Sequence, residues 1–363
     1  MLTTLVGQPV SALDTPALLV DLDVLTHNIT TMAADIAARG ASWRPHTKAN
    51  KNPAVAHQQL AAGAIGVTVA KVGEAEVMAA SGIRDILIAN QIVGPIKTRR
   101  LAALARHADV IVAVDNPANI PELDEAAAAA GSRPRVLIEV NTGMNRCGVD
   151  PQRVVDLAKQ VAACEHLRFA GVMAWEGHAM DELNPEPRKA IVEQAVGLLT
   201  GAADACREAG LPVEIVSCGG SGTYLTSAAI PGVTEVQAGG GIFGDAAYLE
   251  LGANVQPALT LMAQVTSRPA PERVIVDSGR KTVDPGYRPP VPCGLTLAKP
   301  PAFSAEHGVL TLAEPSDCPH IGERVNFRIG YSDQIMHLHD YLYGIRNGCV
   351  ETIWPISGRG HLQ

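Results

Sequence analysis

The sequence predicts an α/β protein in which a TIM-type (β/α)8 barrel is joined to a C-terminal antiparallel β domain. From about residue 40 to about residue 245, short strand-like runs rich in Val and Ile alternate with alanine-rich amphipathic stretches. Eight strand–helix units can be counted, and eight is the number that closes a barrel. After about residue 255, proline and glycine become frequent and strand-like runs follow one another without helical spacers, which is typical of a small β domain.

The eight predicted barrel strands are short and have polar or glycine-rich ends. They cover residues 42–46, 67–72, 85–90, 110–115, 136–141, 171–175, 214–218 and 235–238. An open, doubly wound sheet is the alternative fold, but it usually has roughly five to seven strands and a GxGxxG turn after the first one. The sequence has neither feature, so the barrel is favoured.

The predicted β domain combines the two ends of the chain. Strand-like runs cover residues 273–277, 309–312, 324–329 and 350–354, and the opening run 15–21 has the same character. We therefore expect a barrel domain over residues 22–255. It is expected to be inserted between the two parts of the β domain, residues 1–21 and 256–363.

Composition excludes several classes of protein. Of the 363 residues, 47% are hydrophobic and 18% are charged, which predicts a folded chain with a full core. The net charge of −8 argues against a nucleic-acid partner. Seven cysteines without a CxxC pair argue against a disulfide framework or a structural zinc site. The opening residues have no basic segment and no apolar run approaches a membrane span, so we expect a cytoplasmic protein without a signal peptide.

One lysine and two glycine-rich turns carry the chemical prediction. The carboxyl ends of barrel strands face the active site, and Lys48 follows the first predicted strand. The turns, residues 218–224 and 237–241, follow the seventh and eighth strands, where barrels commonly bind phosphate. A lysine amine can form a Schiff base, and glycine lets backbone N–H groups approach a phosphate closely. Together these features predict pyridoxal 5'-phosphate bound to Lys48.

Each candidate residue also has an ordinary structural interpretation. A glycine pair is often only a tight turn, and Lys51 is expected to be a solvated surface lysine. Arg146, in the loop after the fifth strand, is a candidate for cofactor binding or for a surface ion pair. His178, after the sixth strand, is a candidate acid–base group or a hydrogen-bonded loop histidine.

Several segments resemble the fold-type III pyridoxal-phosphate enzymes, specifically the D-threonine aldolase and D-serine dehydratase group with its alanine racemase-like barrel. The motifs are TPALLVD at 15–21, RPHTK at 44–48, EVNTGMNRCG at 139–148, SGTY at 221–224, QAGG at 237–240 and SAEHG at 304–308. The resemblance spans nearly the whole chain, and it implies that Arg146 lies near the cofactor's phenolic oxygen. The cofactor-binding residues that it implies are Lys48, His46, Arg146, Ser221, Gly222, Thr223, Gln237, Gly239 and Gly240.

The chain departs from this group at a metal site. The resemblance places a His-x-Cys or His-x-Asp pair where this sequence has Tyr331 and Asp333. A neutral phenol is a poor ligand for a divalent ion. Two interpretations stay open: Asp333 and water hold Mg²⁺ or Mn²⁺ weakly, or the metal is lost and Tyr331 acts as an acid–base group. His337, on a predicted strand with His339, is a possible substitute ligand.

The resemblance implies an enzyme acting on a small β-hydroxy-D-amino acid, with retro-aldol cleavage of the Cα–Cβ bond as the expected reaction. The alternatives are β-elimination, as in a D-serine or 3-hydroxyaspartate dehydratase, and racemisation with Lys48 and Tyr331 as bases. A pyridoxal-phosphate carrier is the non-enzyme alternative, but such proteins resemble the barrel alone. The expected catalytic residues are Lys48, His178 and Tyr331, and the expected assembly is a homodimer.

Overall fold

The structure is a computed structural model that describes residues 2–363. These residues form two compact units. The barrel unit contains residues 32–48, 53–239 and 360–363. The β unit contains residues 2–31, 49–52 and 240–359.

The strands are named in chain order. They are β1 (Ala17–Asp21), β2 (Ser42–Trp43), β3 (Val67–Val69), β4 (Asp85–Gln91), β5 (Asp109–Val114), β6 (Arg135–Glu139), β7 (Arg168–Met173), β8 (Ile215–Cys218), β9 (Glu235–Val236), β10 (Leu259–Ala270), β11 (Arg273–Val276), β12 (Val291–Pro292), β13 (Ala302–Phe303), β14 (Gly308–Thr311), β15 (Arg324–Arg328), β16 (Tyr341–Arg346) and β17 (Cys349–Pro355).

The helices are α1 (Leu22–Ala37), α2 (Pro53–Ala61), α3 (Val72–Ala80), α4 (Pro95–Leu104), α5 (Asn119–Ala130), α6 (Val154–Ala162), α7 (Pro185–Glu208), α8 (Tyr224–Ser227), α9 (Ala246–Glu250) and α10 (Ser332–Ile335). Short 3-10 turns cover Leu2–Leu5, Val10–Ala12, Thr47–Ala49, Pro151–Arg153, Gly177–Asp181 and Gly240–Phe243. No helix among residues 2–363 has the length and apolar composition needed to cross a bilayer.

The barrel unit is a parallel sheet of eight strands in the order β2-β9-β8-β7-β6-β5-β4-β3. Backbone contacts also join its two ends, because the Thr68 N–H donates to the Pro45 carbonyl at 2.9 Å and His46 pairs with Thr68. The eight predicted strands all occur. The first ends at Trp43 instead of His46 because Pro45 has no N–H to donate to a ladder.

Alternate residues of the barrel strands enter two separate apolar clusters, as the two-residue period of a strand requires. In β5, Val110, Val112 and Val114 join the large cluster that includes residues of the surrounding helices. Ile111 and Ala113 join a small cluster formed by barrel-strand residues. Both faces of the strands are therefore buried, which explains their nearly continuous apolar sequence.

The β unit contains the second sheet, with the order β13-β14-β11-β10-β1-β16-β17, and β15 pairs with β10 and β12. The opening strand β1 is antiparallel to β10 and parallel to β16. The predicted class of a barrel plus a β domain is confirmed, but the pairing of β1 with β16 makes the sheet mixed. No hairpin links these two strands, so chain connectivity does not require them to be antiparallel.

Candidate functional site

Lys48 lies in the turn that follows β2, where main-chain contacts hold the segment on both sides. The His46 N–H donates to the Gln237 carbonyl at 3.0 Å, and the Thr47 hydroxyl donates to the Thr68 carbonyl at 3.2 Å. The Lys48 N–H donates to Nδ1 of His46 at 3.3 Å. The backbone of Lys48 is thereby held at the carboxyl end of the strand, and its side chain is half-buried.

The first glycine turn follows β8 and depends on missing side chains. Gly219 has a φ of 78°, a conformation that favours glycine. A Cβ on Gly220 would lie 2.2 Å from the indole ring of Trp175. The Thr223 N–H donates to the Gly220 carbonyl at 3.0 Å, which closes the turn.

The second glycine turn follows β9 and contacts both the first turn and the lysine segment. The Gly239 N–H donates to the Ser221 hydroxyl at 3.2 Å. A Cβ on Gly239 would lie 2.1 Å from the His46 carbonyl oxygen, so a larger residue does not fit there. Gln237 is buried and its Nε2 donates to the Ser217 hydroxyl at 2.9 Å. The structure therefore brings Lys48, His46, Ser221, Gln237 and Gly239 to the same end of the barrel.

Glu176 lies in the barrel loop that follows β7. It is 1% exposed and accepts hydrogen bonds from the hydroxyls of Thr223 and Ser227, each at 2.7 Å. Its other oxygen accepts from the Gly219 N–H at 3.3 Å. The hydroxyl of Thr223 is therefore directed to Glu176, although the sequence predicted Thr223 as a phosphate donor. In the sequence, the signal that could have identified Glu176 is its position between a predicted strand and a glycine.

Arg146 lies in an exposed loop after β6, with 52% of its side chain accessible and its guanidinium 3.7 Å from Glu139. The buried Glu139 also accepts from Nε2 of Gln91 at 2.5 Å and from the Cys147 thiol at 3.0 Å. Burial, and then the hydrogen bond to Glu139, raises the pKa of Cys147 to about 11. The loop thus presents a cation next to a thiol that remains protonated at neutral pH.

His178 lies in the 3-10 turn after β7 and is half-buried. Its Nδ1 atom is buried without a hydrogen-bond partner, and a Cβ on Gly143 would lie 3.2 Å from its Nε2. Buried polar atoms usually have partners, so this nitrogen is an unsatisfied polar atom of the loop.

The β unit brings Tyr331 and Asp333 together with two further tyrosines. The ring of Tyr331 lies 4.9 Å from that of Tyr287 and 6.0 Å from that of Tyr248. Burial, and then the nearby Asp333 carboxyl, raises the pKa of Tyr331 well above its usual range. The phenol is therefore protonated at neutral pH.

Burial also raises the pKa of Asp245 to about 7, and this carboxyl accepts from the Ser332 N–H at 2.8 Å.

Two expectations from the sequence are corrected here. Lys51 is 4% exposed, not a solvated surface lysine, because its segment Ala49–Asn52 belongs to the β unit and its carbonyl accepts from the Gly358 N–H at 2.8 Å. His337 lies in a turn after α10, not on a strand with His339. His339 contacts the Thr282 carbonyl through Nε2 at 2.8 Å. Within residues 2–363, no group of three or more His, Cys, Asp or Glu side chains is placed to hold a metal ion.

The barrel residues fit a phosphate-bearing aldehyde. Lys48 supplies a primary amine at a strand end, and the two turns supply hydroxyl and main-chain N–H groups of the kind that a phosphate accepts from. The connection of the turns through Gly239 and Ser221 places both phosphate-type segments at one location.

Comparison with known proteins agrees with this arrangement. A family model described as alanine racemase, N-terminal domain, matches residues 20–247, and one described as putative serine dehydratase domain matches residues 258–345. A D-threonine aldolase of Arthrobacter sp is 37% identical over 98% of this chain and 95% of its own length. A 3-hydroxy-D-aspartate aldolase of Paracoccus denitrificans (strain Pd 1222) is 36% identical over 98% of this chain and 94% of its own length.

The fold comparison gives the same result over both units. The crystal structure of D-threonine aldolase from Filomicrobium marinum matches with a TM-score of 0.94 and 37% identity, and the match covers 98% of each chain. Because the relatives match from end to end, the likeness includes the β unit as well as the barrel. The chain therefore belongs to the fold-type III pyridoxal-phosphate enzymes, in the group that contains the D-threonine aldolases and the D-serine dehydratase-like proteins.

Proposed function

We propose that this protein is a pyridoxal-phosphate-dependent lyase that cleaves the Cα–Cβ bond of a small β-hydroxy-D-amino acid. The observation that carries the proposal is the placement of Lys48 at the end of a barrel strand together with two glycine turns joined by the Gly239–Ser221 hydrogen bond. The substrate class rests on the two aldolases that match nearly the whole chain.

In this proposal the barrel domain, residues 22–255, holds the cofactor, and residues 1–21 and 256–363 form the β domain. Lys48 would hold the cofactor through its aldehyde, Arg146 would lie on the side of its phenolic oxygen, and the two turns would hold its phosphate. When bound, the cofactor withdraws electrons from Cα of an attached amino acid. The proposed cofactor-binding residues are His46, Lys48, Arg146, Ser221, Gly222, Thr223, Gln237, Gly239 and Gly240.

Cleavage requires that the β-hydroxyl lose a proton and that Cα gain one, so that an aldehyde and glycine leave. His178 is the proposed base, because it lies in the turn after β7, at the carboxyl end of the barrel strands, and an imidazole nitrogen can accept a proton. Tyr331 is proposed to hold its proton and donate a hydrogen bond to the substrate. Its raised pKa supports a donor and argues against a phenolate base.

We also propose that any metal is a hard ion, Mg²⁺ or Mn²⁺, held weakly through Asp333 and water. Carboxylate and water oxygens suit such ions, whereas a phenol must first lose its proton to become a good ligand. The protein is further proposed to be a cytoplasmic homodimer. Sedimentation at assay concentration tests the dimer, and a fully active monomer would contradict it.

The test is a product assay with purified protein and added pyridoxal phosphate. D-threonine, 3-hydroxy-D-aspartate, D-serine and the matching L-enantiomers are incubated with and without EDTA. Cleavage releases glycine and an aldehyde, elimination releases a keto acid and ammonia, and racemisation changes only the enantiomer. We expect glycine and aldehyde from a D-substrate. Keto acid as the main product would replace the aldolase with a dehydratase, which the domain match at residues 258–345 makes the second candidate.

A further inference from the structure

Glu176 is a buried carboxyl group to which the proposed reaction assigns no role. It is 1% exposed in the barrel unit, just beyond β7. Its Oε1 accepts two hydroxyl hydrogen bonds, from Thr223 and Ser227, and its Oε2 accepts the Gly219 N–H. Both oxygens therefore act as acceptors, which is the pattern of an ionised carboxylate.

The partners of Glu176 belong to the first glycine turn or to the short helix that follows it. The Gly220 N–H donates to the Thr223 hydroxyl at 3.0 Å, and that hydroxyl donates to Glu176 at 2.7 Å. The neighbouring residue Trp175 fills the space where Gly220 has no side chain. Two consecutive residues after β7 thus support the turn, one through hydrogen bonds and one through ring packing.

We infer that Glu176 is a positioning residue for the phosphate site: it holds the turn Gly219–Thr223 in its binding shape before the cofactor arrives. The inference rests on the proposed function, which assigns the phosphate to this turn. By directing the Thr223 and Ser227 hydroxyls inward, the carboxylate fixes the path of the main chain. A preformed turn binds more tightly because ordering it costs nothing at the moment of binding.

Two effects of the Glu176 carboxylate oppose each other. Its negative charge repels a phosphate, so removing the charge would strengthen binding. Removing the carboxylate would also leave buried donors without an acceptor. That cost would weaken phosphate binding by roughly tenfold or more. Replacement by glutamine keeps the size but turns an NH₂ group toward one set of donors. We expect the weakening of phosphate binding by the lost acceptors to exceed its strengthening by the lost charge. The reason is that the donors are buried and in direct contact with the carboxylate.

The experiment compares Glu176→Gln with the wild-type protein after removal of bound cofactor. Dissociation constants are measured by fluorescence quenching for pyridoxal phosphate and for pyridoxal, which lacks the phosphate. We expect Glu176→Gln to weaken pyridoxal phosphate binding about tenfold and pyridoxal binding by less than about threefold. Glu208→Gln removes the same charge at an exposed site and serves as the control; it should change neither constant.

Tighter binding of pyridoxal phosphate, or an equal loss for both ligands, would overturn the inference. If Glu176→Gln does not fold, Ser227→Ala tests the same link, because it removes a hydroxyl that donates to Glu176 and that is not assigned to the cofactor. The same selective loss is expected, and its absence refutes the role of Glu176. A wild-type protein that binds pyridoxal phosphate no better than pyridoxal refutes the proposed function and the inference together. Normal wild-type binding without a selective loss in the variants refutes the inference alone.

Discussion

Lys48 is the side chain on which the cofactor assignment depends. Replacing it with alanine should abolish borohydride-stable attachment of pyridoxal phosphate and lower turnover by about a thousandfold or more, since the covalent link is lost. Absorption spectra and peptide mapping after reduction measure this. Lys97→Ala, at an exposed position of α4, is the control and should retain both properties. Label found on Lys51 or Lys71 in the wild-type protein would refute the assignment.

Tyr331 is the residue at which this chain departs from its group. Tyr331→Phe keeps the ring that packs 4.9 Å from Tyr287 but removes the hydroxyl. If the phenol donates a hydrogen bond to substrate, turnover should fall by about tenfold or more. The melting temperature should fall only slightly, because the hydroxyl also hydrogen-bonds Asp333 and Tyr248. Because its pKa is raised above its usual range, Tyr331 should add no alkaline limb to the pH–rate profile below about pH 10. Unchanged turnover would mean that the ring only packs.

Cys147 provides a test of the loop that carries Arg146. Burial and the hydrogen bond to Glu139 raise the pKa of Cys147 above its usual range, to about 11. The thiolate is the reactive form of cysteine. At pH 8 the thiolate population of Cys147 is about a hundredfold lower than that of a thiol with an ordinary pKa. Iodoacetamide should therefore modify Cys147 far more slowly than the exposed Cys293. Mass spectrometry of timed digests measures both rates, and equal rates would contradict this environment.

The glycine turn after β9 is sensitive to a single added carbon. In Gly239→Ala, the Cβ would lie 2.1 Å from the main-chain oxygen of His46, so the turn or the lysine segment must move. Cofactor affinity should fall at least about tenfold, because the two segments meet at this point. Gly197→Ala in α7 meets nothing within 4 Å and should stabilise the protein slightly, by up to about 1 kcal/mol. Titration of both variants with pyridoxal phosphate tests the expectation.

Closure of the barrel depends on ion pairs at the end of the strands opposite to Lys48. Arg44 is 2% exposed, and its Nε lies 3.0 Å from both oxygens of Glu235, which begins β9. Its Nη1 lies 2.5 Å from Asp85, which begins β4 and also pairs with Arg135. The network therefore connects strands that are distant in sequence.

Arg44→Met should lower the free energy of unfolding by about 3–5 kcal/mol, because it leaves the buried Glu235 without a cation. Adding Glu235→Gln removes the uncompensated charge and should restore part of the loss. Urea denaturation of the single and double variants measures the difference. If the double variant is no more stable than Arg44→Met, the cost comes from packing and not from charge.

The order of strands and helices was determined by local sequence. Short runs rich in Val and Ile, alternating with amphipathic stretches, identified all eight barrel strands. Lys48 and the glycine turns were found because the carboxyl ends of all barrel strands lie on one face of the barrel. The fold class needed no tertiary information, since each strand–helix unit carries its own pattern.

Contacts between distant residues were decided only by the tertiary structure. Glu176 and Thr223 are 47 positions apart, and nothing local to either residue indicates their hydrogen bond. Lys51 looked like a surface lysine because burial depends on the β unit, to which its four-residue segment belongs. The environment that keeps Tyr331 protonated likewise comes from Asp333 and from burial in the folded unit. Local pattern specifies which elements form, whereas burial and hydrogen bonding of a side chain depend on what the fold places around it.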